Sequence, residues 1–223
     1  MHSSGIVIGL LLATGIAAAP AAEPAPAVAE PAAHSLFDGK SLGDWKPTPF
    51  GGEGEVTVAD GVIRIARGSD LSGITWQGEF PIQGYEIALD ARRMDGHDFF
   101  CGLTFPVGNS HCSLILGGWG GGLVGLSSID GNDAANNATT QIMSFEQRRW
   151  YAVRVRVTPE RIECFLDGKR IIDQSLDGHT VSIRSEISPS VPLGIATYAT
   201  EAEVRGITWR PLAGEASAPQ AAP

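Results

Sequence analysis

The sequence predicts an all-β protein, an antiparallel β-sandwich or jelly roll, on three observations. Short runs rich in β-branched and aromatic residues recur, and turn residues separate them at a spacing of roughly 8–12 residues. Several runs alternate between apolar and polar residues, which is typical of strands with one buried face. Long amphipathic helical periodicity is absent from the sequence.

The first half of the chain supplies a hairpin and three further strands. Residues 56–58 and 62–65 flank Asp60-Gly61, a turn pair that favours a two-residue hairpin. Residues 85–92 alternate, with Tyr85, Ile87 and Leu89 on the predicted inner face. Residues 99–105 and 112–116 are apolar on both faces, which predicts central strands that are covered on both sides.

The second half shows the clearest alternation. Residues 151–157 place Tyr and Val inward and Arg outward, and residues 162–166 continue the pattern after a turn at 158–160. Asp167-Gly168 predicts a further turn into a strand over 169–172. Strands over 193–199 and 203–209 close the domain.

The two ends have a different composition. Residues 1–22 resemble a secretory signal peptide without its positive n-region, and the alternative is a disordered Ala-rich leader. An Ala/Pro-rich linker over 23–33, one domain over 34–212 and a disordered tail over 213–223 follow. We therefore expect a secreted or periplasmic protein with no membrane span once the signal is removed.

The formal net charge of −9 excludes a default nucleic-acid partner, because no basic surplus is available to release counterions from phosphates. No zinc, nucleotide or serine-nucleophile motif occurs, so no cofactor is expected. Cys101 and Cys112 lie on either side of a turn. They form either a disulfide or, as we expect for all three cysteines, buried thiols.

Two segments resemble a known family. The stretch His34-Ser-Leu-Phe-Asp-Gly-Lys-Ser-Leu-Gly-Asp-Trp45 is similar to the Leu-Phe-(Asn/Asp)-Gly-Lys-x-Leu-x-x-Trp opening of the 3-keto-disaccharide hydrolase domain family. Residues 150–157 and 162–172 resemble its hairpin, which laminin-G-like and glucanase-like sandwiches share. The resemblance covers residues 35–212 and implies a concanavalin A-like jelly roll. Many members carry Glu-x-Gln-(Ile/Leu)-x-Asp where residues 111–118 contain no carboxylate, so none is carried over there.

The resemblance implies a saccharide or oxidised glycoside as partner and cleavage of glycosides already oxidised at C3. The ketone acidifies the C2 proton, so a base removes it, the aglycone leaves C1, and water then adds to the enone. Such a site needs a base, a proton donor and a group that polarises the ketone. The candidates for acid or base are His111, Asp98, Asp130 and Glu163. The alternatives are a solvated strand-end histidine and, for Asp98, a turn residue bonded to its own backbone.

The candidate ligand contacts are basic, aromatic and polar side chains. Arg92, Arg154 and Arg156 suit a ketone or an acidic sugar, but a ladder of cross-strand ion pairs with acidic neighbours explains them better. Further candidates are Trp119, Trp76, Tyr198 and Asn132. Trp45, Trp150 and Trp209 are predicted to belong to the core.

Residues 117–122 and 127–137 are the most unusual segments. The first places five glycines around Trp119, which makes Trp119 either a stacking platform for a sugar ring or a plug at the end of the sandwich. The second, from Ser127 to Asn137, is rich in oxygen ligands. Ca²⁺ binding at Asp130–Asn137 is possible, and a solvated Asx-rich loop is the favoured alternative.

Three functions remain open at this point. The first is an exported enzyme that cleaves 3-keto-glycosides. The second is a non-catalytic carbohydrate-binding module, favoured by the missing carboxylates in residues 111–118. The third is a scaffold or adhesion domain that uses the same sheet for protein contacts.

Overall fold

The computed structural model describes Met1 and residues 31–213. The predicted signal peptide, most of the linker and the tail beyond residue 213 lie outside the described residues. The described part is almost entirely β, and its strands form two antiparallel sheets packed face to face. The prediction of an all-β antiparallel sandwich is confirmed. In residues 31–213, no helix has the length and apolar character needed to cross a bilayer.

The strands and the 3₁₀ helix follow in chain order. They are β1 (His34–Ser35), β2 (Trp45–Pro47), β3 (Val56–Ala59), β4 (Val62–Ile65), β5 (Leu71–Trp76), β6 (Tyr85–Asp95), β7 (Cys101–Val107), β8 (Ser110–Gly117), β9 (Leu123–Ser127), β10 (Gln141–Ile142), β11 (Tyr151–Val157), β12 (Arg161–Leu166), β13 (Lys169–Ser175), the 3₁₀ helix (Ser185–Ser190), β14 (Gly194–Tyr198) and β15 (Glu201–Pro211).

Sheet A has the strand order β13-β12-β11-β6-β15-β4-β3, with β1 paired to β15. Sheet B has the order β10-β9-β8-β7-β14-β5-β2. The inner faces of the two sheets make one core, because successive side chains of a strand point to opposite faces. On β11, for example, Tyr151, Val153 and Val155 are buried in that core.

The structure changes the prediction for one of the three tryptophans that were expected in the core. Trp45 is fully buried and its Nε1 donates to Leu36 O at 2.9 Å, as a core tryptophan requires. Trp150 is half-buried on the outer face of sheet A, because it precedes the inward-facing Tyr151 and so points the other way. Trp209 is half-buried and packs against the core cluster as predicted, and its ring stacks on His34 at 4.8 Å.

The three cysteines are free buried thiols. Cys101 pairs with Leu116 and Cys112 with Phe105 in the β7–β8 register, so the two sulfurs are not opposite each other. Burial raises the pKa of both Cys101 and Cys112 to about 12, which keeps the thiols protonated at neutral pH.

Candidate functional site

A groove of about 350 Å³ lies on the outer face of sheet B. Residues of strands β5, β8, β9 and β14 line it, and the 3₁₀ helix covers one side. The volume falls within the roughly 300–1,000 Å³ that small-molecule sites occupy. The lining residues are Leu71, Asp98, Phe99, Ser113, Ile115, Trp119, Ser127, Arg184, Glu186, Ile187 and Tyr198.

The outer face of sheet B carries two parallel rows of residues that cross its strands. Each row consists of residues that are directly opposite one another on neighbouring strands. The hydroxyl row is Thr75, Gly194, Thr104, Ser113 and Ser127, of which all but Gly194 carry a hydroxyl. The apolar row is Gly73, Ala196, Gly102, Ile115 and Gly125. Three members of these rows line the groove: the hydroxyl-bearing Ser113 and Ser127, and the apolar Ile115 beside them.

The hydroxyls of the row differ in their partners. Thr104 Oγ1 and Ser113 Oγ share a hydrogen bond of 2.8 Å. Ser127 is only 2% exposed, and its Oγ has no hydrogen-bond partner in the protein. A buried hydroxyl without a partner costs about 1–3 kcal/mol, so Ser127 is an unusual residue on the groove floor.

One end of the groove, the aromatic end, is formed by Asp98, Phe99, Trp119 and Tyr198. The β6–β7 connection, the β8–β9 turn and the last residue of β14 reach the same end of the sandwich because the strands are antiparallel. Trp119 is 48% exposed and Tyr198 is 39% exposed. Trp119 therefore lines the groove with an open ring face and does not plug the sandwich.

The turn that carries Trp119 depends on its glycines and on Arg93. Trp119 itself has a left-handed backbone (φ 47°), and Gly117 (φ 78°) and Gly121 (φ 110°) also have positive φ values. Arg93 lies beneath the turn and donates to Gly117 O at 3.2 Å and to Gly121 O at 3.0 Å. A Cβ at Gly117 would lie on Arg93 Nη2, so this position requires glycine for its conformation and for the guanidinium.

Asp98 is fixed by backbone donors. Its Oδ1 accepts the N–H of Phe99 at 2.7 Å, and its Oδ2 accepts the N–H of Gly120 at 3.1 Å. The second bond ties the carboxylate to the Trp119 turn. The half-buried side chain thus stands beside two aromatic rings with its oxygens in a defined orientation.

The other end of the groove, the polar end, opens into a wider depression of about 560 Å³. It is lined by Ser128, Gly131, Asn132, Asp133, Asn136, Ser182, Ile183, Arg184, Ser185 and Glu186. The β9–β10 connection and the β13–β14 connection form the wall of this depression. Ser128 and Ser182 join the two connections through reciprocal backbone hydrogen bonds. Arg184 and Glu186 line both spaces, so the groove and the depression are continuous.

Arg184 is the positively charged residue where the groove meets the depression. Its Nη1 donates to Asp133 Oδ2 at 2.8 Å, and its Nε donates to Glu186 Oε1 at 2.5 Å. Burial alone would raise the pKa of Glu186, but its own backbone N–H and Arg184 hold that pKa below the ordinary value of 4.5. Glu186 is therefore a carboxylate at neutral pH.

The carboxylates of the 127–137 loop are engaged by protein donors. Asp130 Oδ2 contacts His179 Nδ1 at 2.7 Å, and Asp130 Oδ1 accepts the N–H of Thr180 at 2.8 Å. Asp133 accepts the N–H of Ala135 besides its bond to Arg184. Within the part of the chain that the structure describes, no group of three or more His, Cys, Asp and Glu side chains is placed to hold a metal ion.

The groove unites four of the predicted site residues. Asp98, Trp119 and Tyr198 line its aromatic end, and Asn132 lines the polar end. Asp130 lies in the polar wall, bonded to Thr180. His111 is on the same outer face near the polar end, half-buried outside the groove lining, and burial lowers its pKa. Trp76 packs against the core cluster beside Trp45, outside the groove.

The remaining candidates lie on the opposite side of the molecule. Arg92, Arg154, Arg156 and Glu163 are on the outer face of sheet A. Arg92 pairs with Glu203, Arg154 with Glu86, and Arg156 with both Glu86 and Glu163. These arginines thus form the ion-pair ladder that the sequence offered as the alternative to a ligand contact.

Sequence reasoning did not identify Ser113, Ser127, Arg184 and Glu186 as site residues. Ser113 and Ser127 give a signal, because each interrupts the outward positions of an otherwise apolar strand. Arg184 and Glu186 lie in a connection between β13 and β14 whose position over sheet B follows only from the tertiary fold.

Comparison with solved structures finds the same β-sandwich fold in several proteins. The carbohydrate-binding module CBM66 from Bacillus subtilis is 13% identical, with a TM-score of 0.52 over 75% of this chain and 95% of that chain. A Crh5 transglycosylase is 11% identical, with a TM-score of 0.55 over 85% and 87% of the two chains. A Bacillus subtilis protein of unknown function with a galectin-like fold is 10% identical, with a TM-score of 0.56 over 81% and 94%.

Sequence comparison identifies the family. No curated protein matches this chain in sequence. Residues 32–210 match the 3-keto-alpha-glucoside-1,2-lyase-like domain, which is the family indicated by the opening motif and the hairpin. This match spans both sheets and every lining residue of the groove. The chain therefore belongs to the 3-keto-alpha-glucoside-1,2-lyase-like domain family.

Proposed function

We propose that this domain binds a glycoside oxidised at C3 in the groove on sheet B and cleaves it by elimination followed by hydration. The family and the fold support a carbohydrate-active function. The observation that carries the proposal is the aromatic end of the groove, where the Asp98 carboxylate stands beside the exposed rings of Trp119 and Tyr198. Aromatic rings bind the apolar face of a sugar, and a carboxylate held beside them reaches its C–H groups.

The proposed reaction proceeds by removal of a proton, loss of the aglycone and addition of water. A base takes the C2 proton, and the electrons of that C–H bond form an enolate with the C3 carbonyl. The enolate then collapses, the C1–O bond to the aglycone breaks, and the leaving oxygen takes up a proton. Water adds to the resulting enone, so the sum is hydrolysis of the glycosidic bond. The protein supplies a base, a proton donor and a donor to the C3 oxygen.

Asp98 is the base in this proposal. Its two backbone hydrogen bonds fix the carboxylate, and the Gly120 bond couples its position to the Trp119 turn. A positioned general base contributes about 10²–10⁴-fold to a rate, provided that its oxygen reaches the proton. Glu186 is the other carboxylate that lines the groove, but it is bonded to the Arg184 guanidinium, which weakens it as a base.

Tyr198 is the proton donor in this proposal. A hydrogen bond with Asp70 raises the pKa of Tyr198, and the negative charge of Asp70 adds to that effect. The phenol therefore remains protonated at neutral pH, which is the form that donates. Arg184 and the polar end accommodate the aglycone, because polar side chains and backbone groups dominate that part of the surface.

The proposed function is tested with Asp98→Asn and a synthetic 3-keto-glucoside. We expect turnover to fall by about 100-fold or more, since Asn keeps the shape of Asp but cannot take the proton. Binding measured by calorimetry should persist. Asp95→Asn is the matched control, because Asp95 is an exposed carboxylate near the same end and does not line the groove. Equal turnover by the Asp98 variant and the parent would refute the assignment of the base.

A second candidate function is non-catalytic saccharide binding. The outward residues of β8 are His111, Ser113 and Ile115, so this strand presents no carboxylate to the groove. If the parent binds the 3-keto-glucoside but product never forms, the domain is a binding module and the groove serves recognition alone.

A further inference from the structure

Two hydroxyls on the groove floor form an unusual pair. Ser113 on β8 and Ser127 on β9 are directly opposite each other in the sheet register. Both side chains line the groove, and both residues are only 2% exposed. Side chains at opposite positions of an antiparallel pair have Cβ atoms about 4.5–5.5 Å apart, so one small ligand atom can contact both hydroxyls.

The hydrogen bonds of the pair leave donor capacity toward the groove. Thr104 lies next to Ser113 on the other side and shares a hydrogen bond of 2.8 Å with it. When Thr104 donates to Ser113, the Ser113 O–H is free to donate elsewhere. Ser127 Oγ has no partner in the protein, although it is among the most buried polar atoms of the described residues. A buried hydroxyl of this kind is stabilised when a ligand supplies the missing partner.

We propose that Ser113 and Ser127 jointly bind the carbonyl oxygen of the oxidised sugar. This inference rests on the proposed function and adds the group that polarises the ketone. An oxygen between two O–H donors accepts a hydrogen bond from each, and these bonds strengthen as negative charge develops on that oxygen during removal of the C2 proton. The buried floor enhances the effect, because hydrogen bonds are electrostatically stronger where water is excluded.

The proposed pair also predicts a preference for a ketone over an alcohol. A carbonyl oxygen accepts two hydrogen bonds without carrying a hydrogen of its own. The hydroxyl of an unoxidised sugar brings a donor and an additional atom into a part of the groove that is bordered by the Ile115 side chain. The two serines thus select the oxidation state of the ligand and not only its shape.

The test measures affinity for two ligands in the Asp98→Asn background, where turnover is suppressed. Methyl 3-keto-α-glucoside and methyl α-glucoside are titrated by calorimetry against that protein and against its Ser127→Ala and Ser113→Ala derivatives. We expect each serine variant to weaken binding of the ketone by roughly 5- to 20-fold, and to change binding of the alcohol by less than about 2-fold. Infrared difference spectra of the ¹³C-labelled ketone should show a lowered carbonyl stretch that reverts toward the free value in the double variant.

Ser190→Ala is the matched control. Ser190 is also fully buried and its hydroxyl also lacks a partner, but it does not line the groove. It should leave both affinities and the carbonyl stretch unchanged. Equal weakening of the two ligands by Ser127→Ala, or an unshifted carbonyl stretch in the Asp98→Asn protein with both serines present, would overturn the inference while the proposed function stands. Absence of ketone binding by the parent would overturn both.

Discussion

The outer faces of the two sheets differ in how their polar side chains are bonded within the protein. On sheet A, Glu86 is 5% exposed, and it contacts Arg154 at 2.7 Å, Arg210 at 2.7 Å and Arg156 at 3.3 Å. Trp150 on the same face lies between the guanidinium groups of Arg92 and Arg205, at 4.3 and 4.2 Å. Charged groups there neutralise one another and leave little for a ligand.

On sheet B, the outer face has few charges and incompletely bonded hydroxyls. Ser127 Oγ lacks a hydrogen-bond partner in the protein, and Ser113, Ile115 and Ser127 line an open groove above the sheet. The difference teaches that the polar groups on the two faces of one sandwich can be satisfied to different degrees. Ion pairs satisfied within the protein stabilise the fold, whereas under the proposed function the unpartnered Ser127 hydroxyl in the groove is available to a ligand.

The largest stability effect is expected for Glu86→Ala on sheet A. The substitution leaves three partly buried arginines without their shared carboxylate, so the free energy of unfolding should fall by about 2–4 kcal/mol. Urea denaturation at pH 7 measures the change. Arg64→Ala is the control, since this arginine is 53% exposed and its ion pair with Glu201 contributes less than about 1 kcal/mol.

Glu86→Ala also tests the division between the faces. Saccharide affinity should be unchanged in the folded variant, because Glu86 has no contact with sheet B. A large loss of affinity at constant fold would show that the two faces are coupled.

An intermediate effect is expected for Trp119→Ala at the aromatic end. The variant loses a stacking surface, so saccharide affinity should fall by about 10-fold, equivalent to about 1.4 kcal/mol. Stability should change by less than about 0.5 kcal/mol because the side chain is 48% exposed. Trp150→Ala is the matched variant on sheet A, and it should lower stability without changing affinity. If Trp119→Ala lowered stability and Trp150→Ala lowered saccharide affinity, the contrast drawn between the two sheets would be wrong.

The smallest effect is expected for Asp130→Asn in the wall of the polar end. The N–H of Thr180 and the His179 side chain hold the pKa of Asp130 below its ordinary value of 3.8. The carboxylate therefore stabilises the fold above pH 3.8, and this contribution is lost as the pH falls from 3.8 through the lower pKa of the folded state. Urea midpoints at pH 6, 4 and 3 should decline less steeply in the variant. Parallel profiles for the two proteins would show that Asp130 adds nothing to acid stability.

The fold followed from the sequence because alternation and turn residues are local signals. The Asp60-Gly61 hairpin and the inward Tyr and Val residues of β11 lie where the pattern predicts. Hydrophobicity predicts a core position for Trp150, which is wrong because hydrophobicity alone does not define a face. Its position follows from the register of Tyr151, and the cation–π contacts with Arg92 and Arg205 hold it there.

The groove was only partly predictable. Asp98 and Trp119 carry local signals, a turn and a glycine cluster, and both line the groove. Arg184 joins the site because a connection of the chain crosses the outer face of sheet B, and no local pattern encodes that path. The pairing of Ser113 with Ser127 requires the register of β8 and β9, which a single sequence does not define.

The hydroxyl row runs across the strands, so each of its members belongs to a different segment of the chain. Ser113 and Ser127, the two members that line the groove, lie on different strands, so a substitution in one strand changes a single spot of the groove while the adjacent residues of that strand continue to face the core. Descendants of this domain can therefore acquire new ligand preferences one strand at a time, with the interior of the sandwich inherited intact.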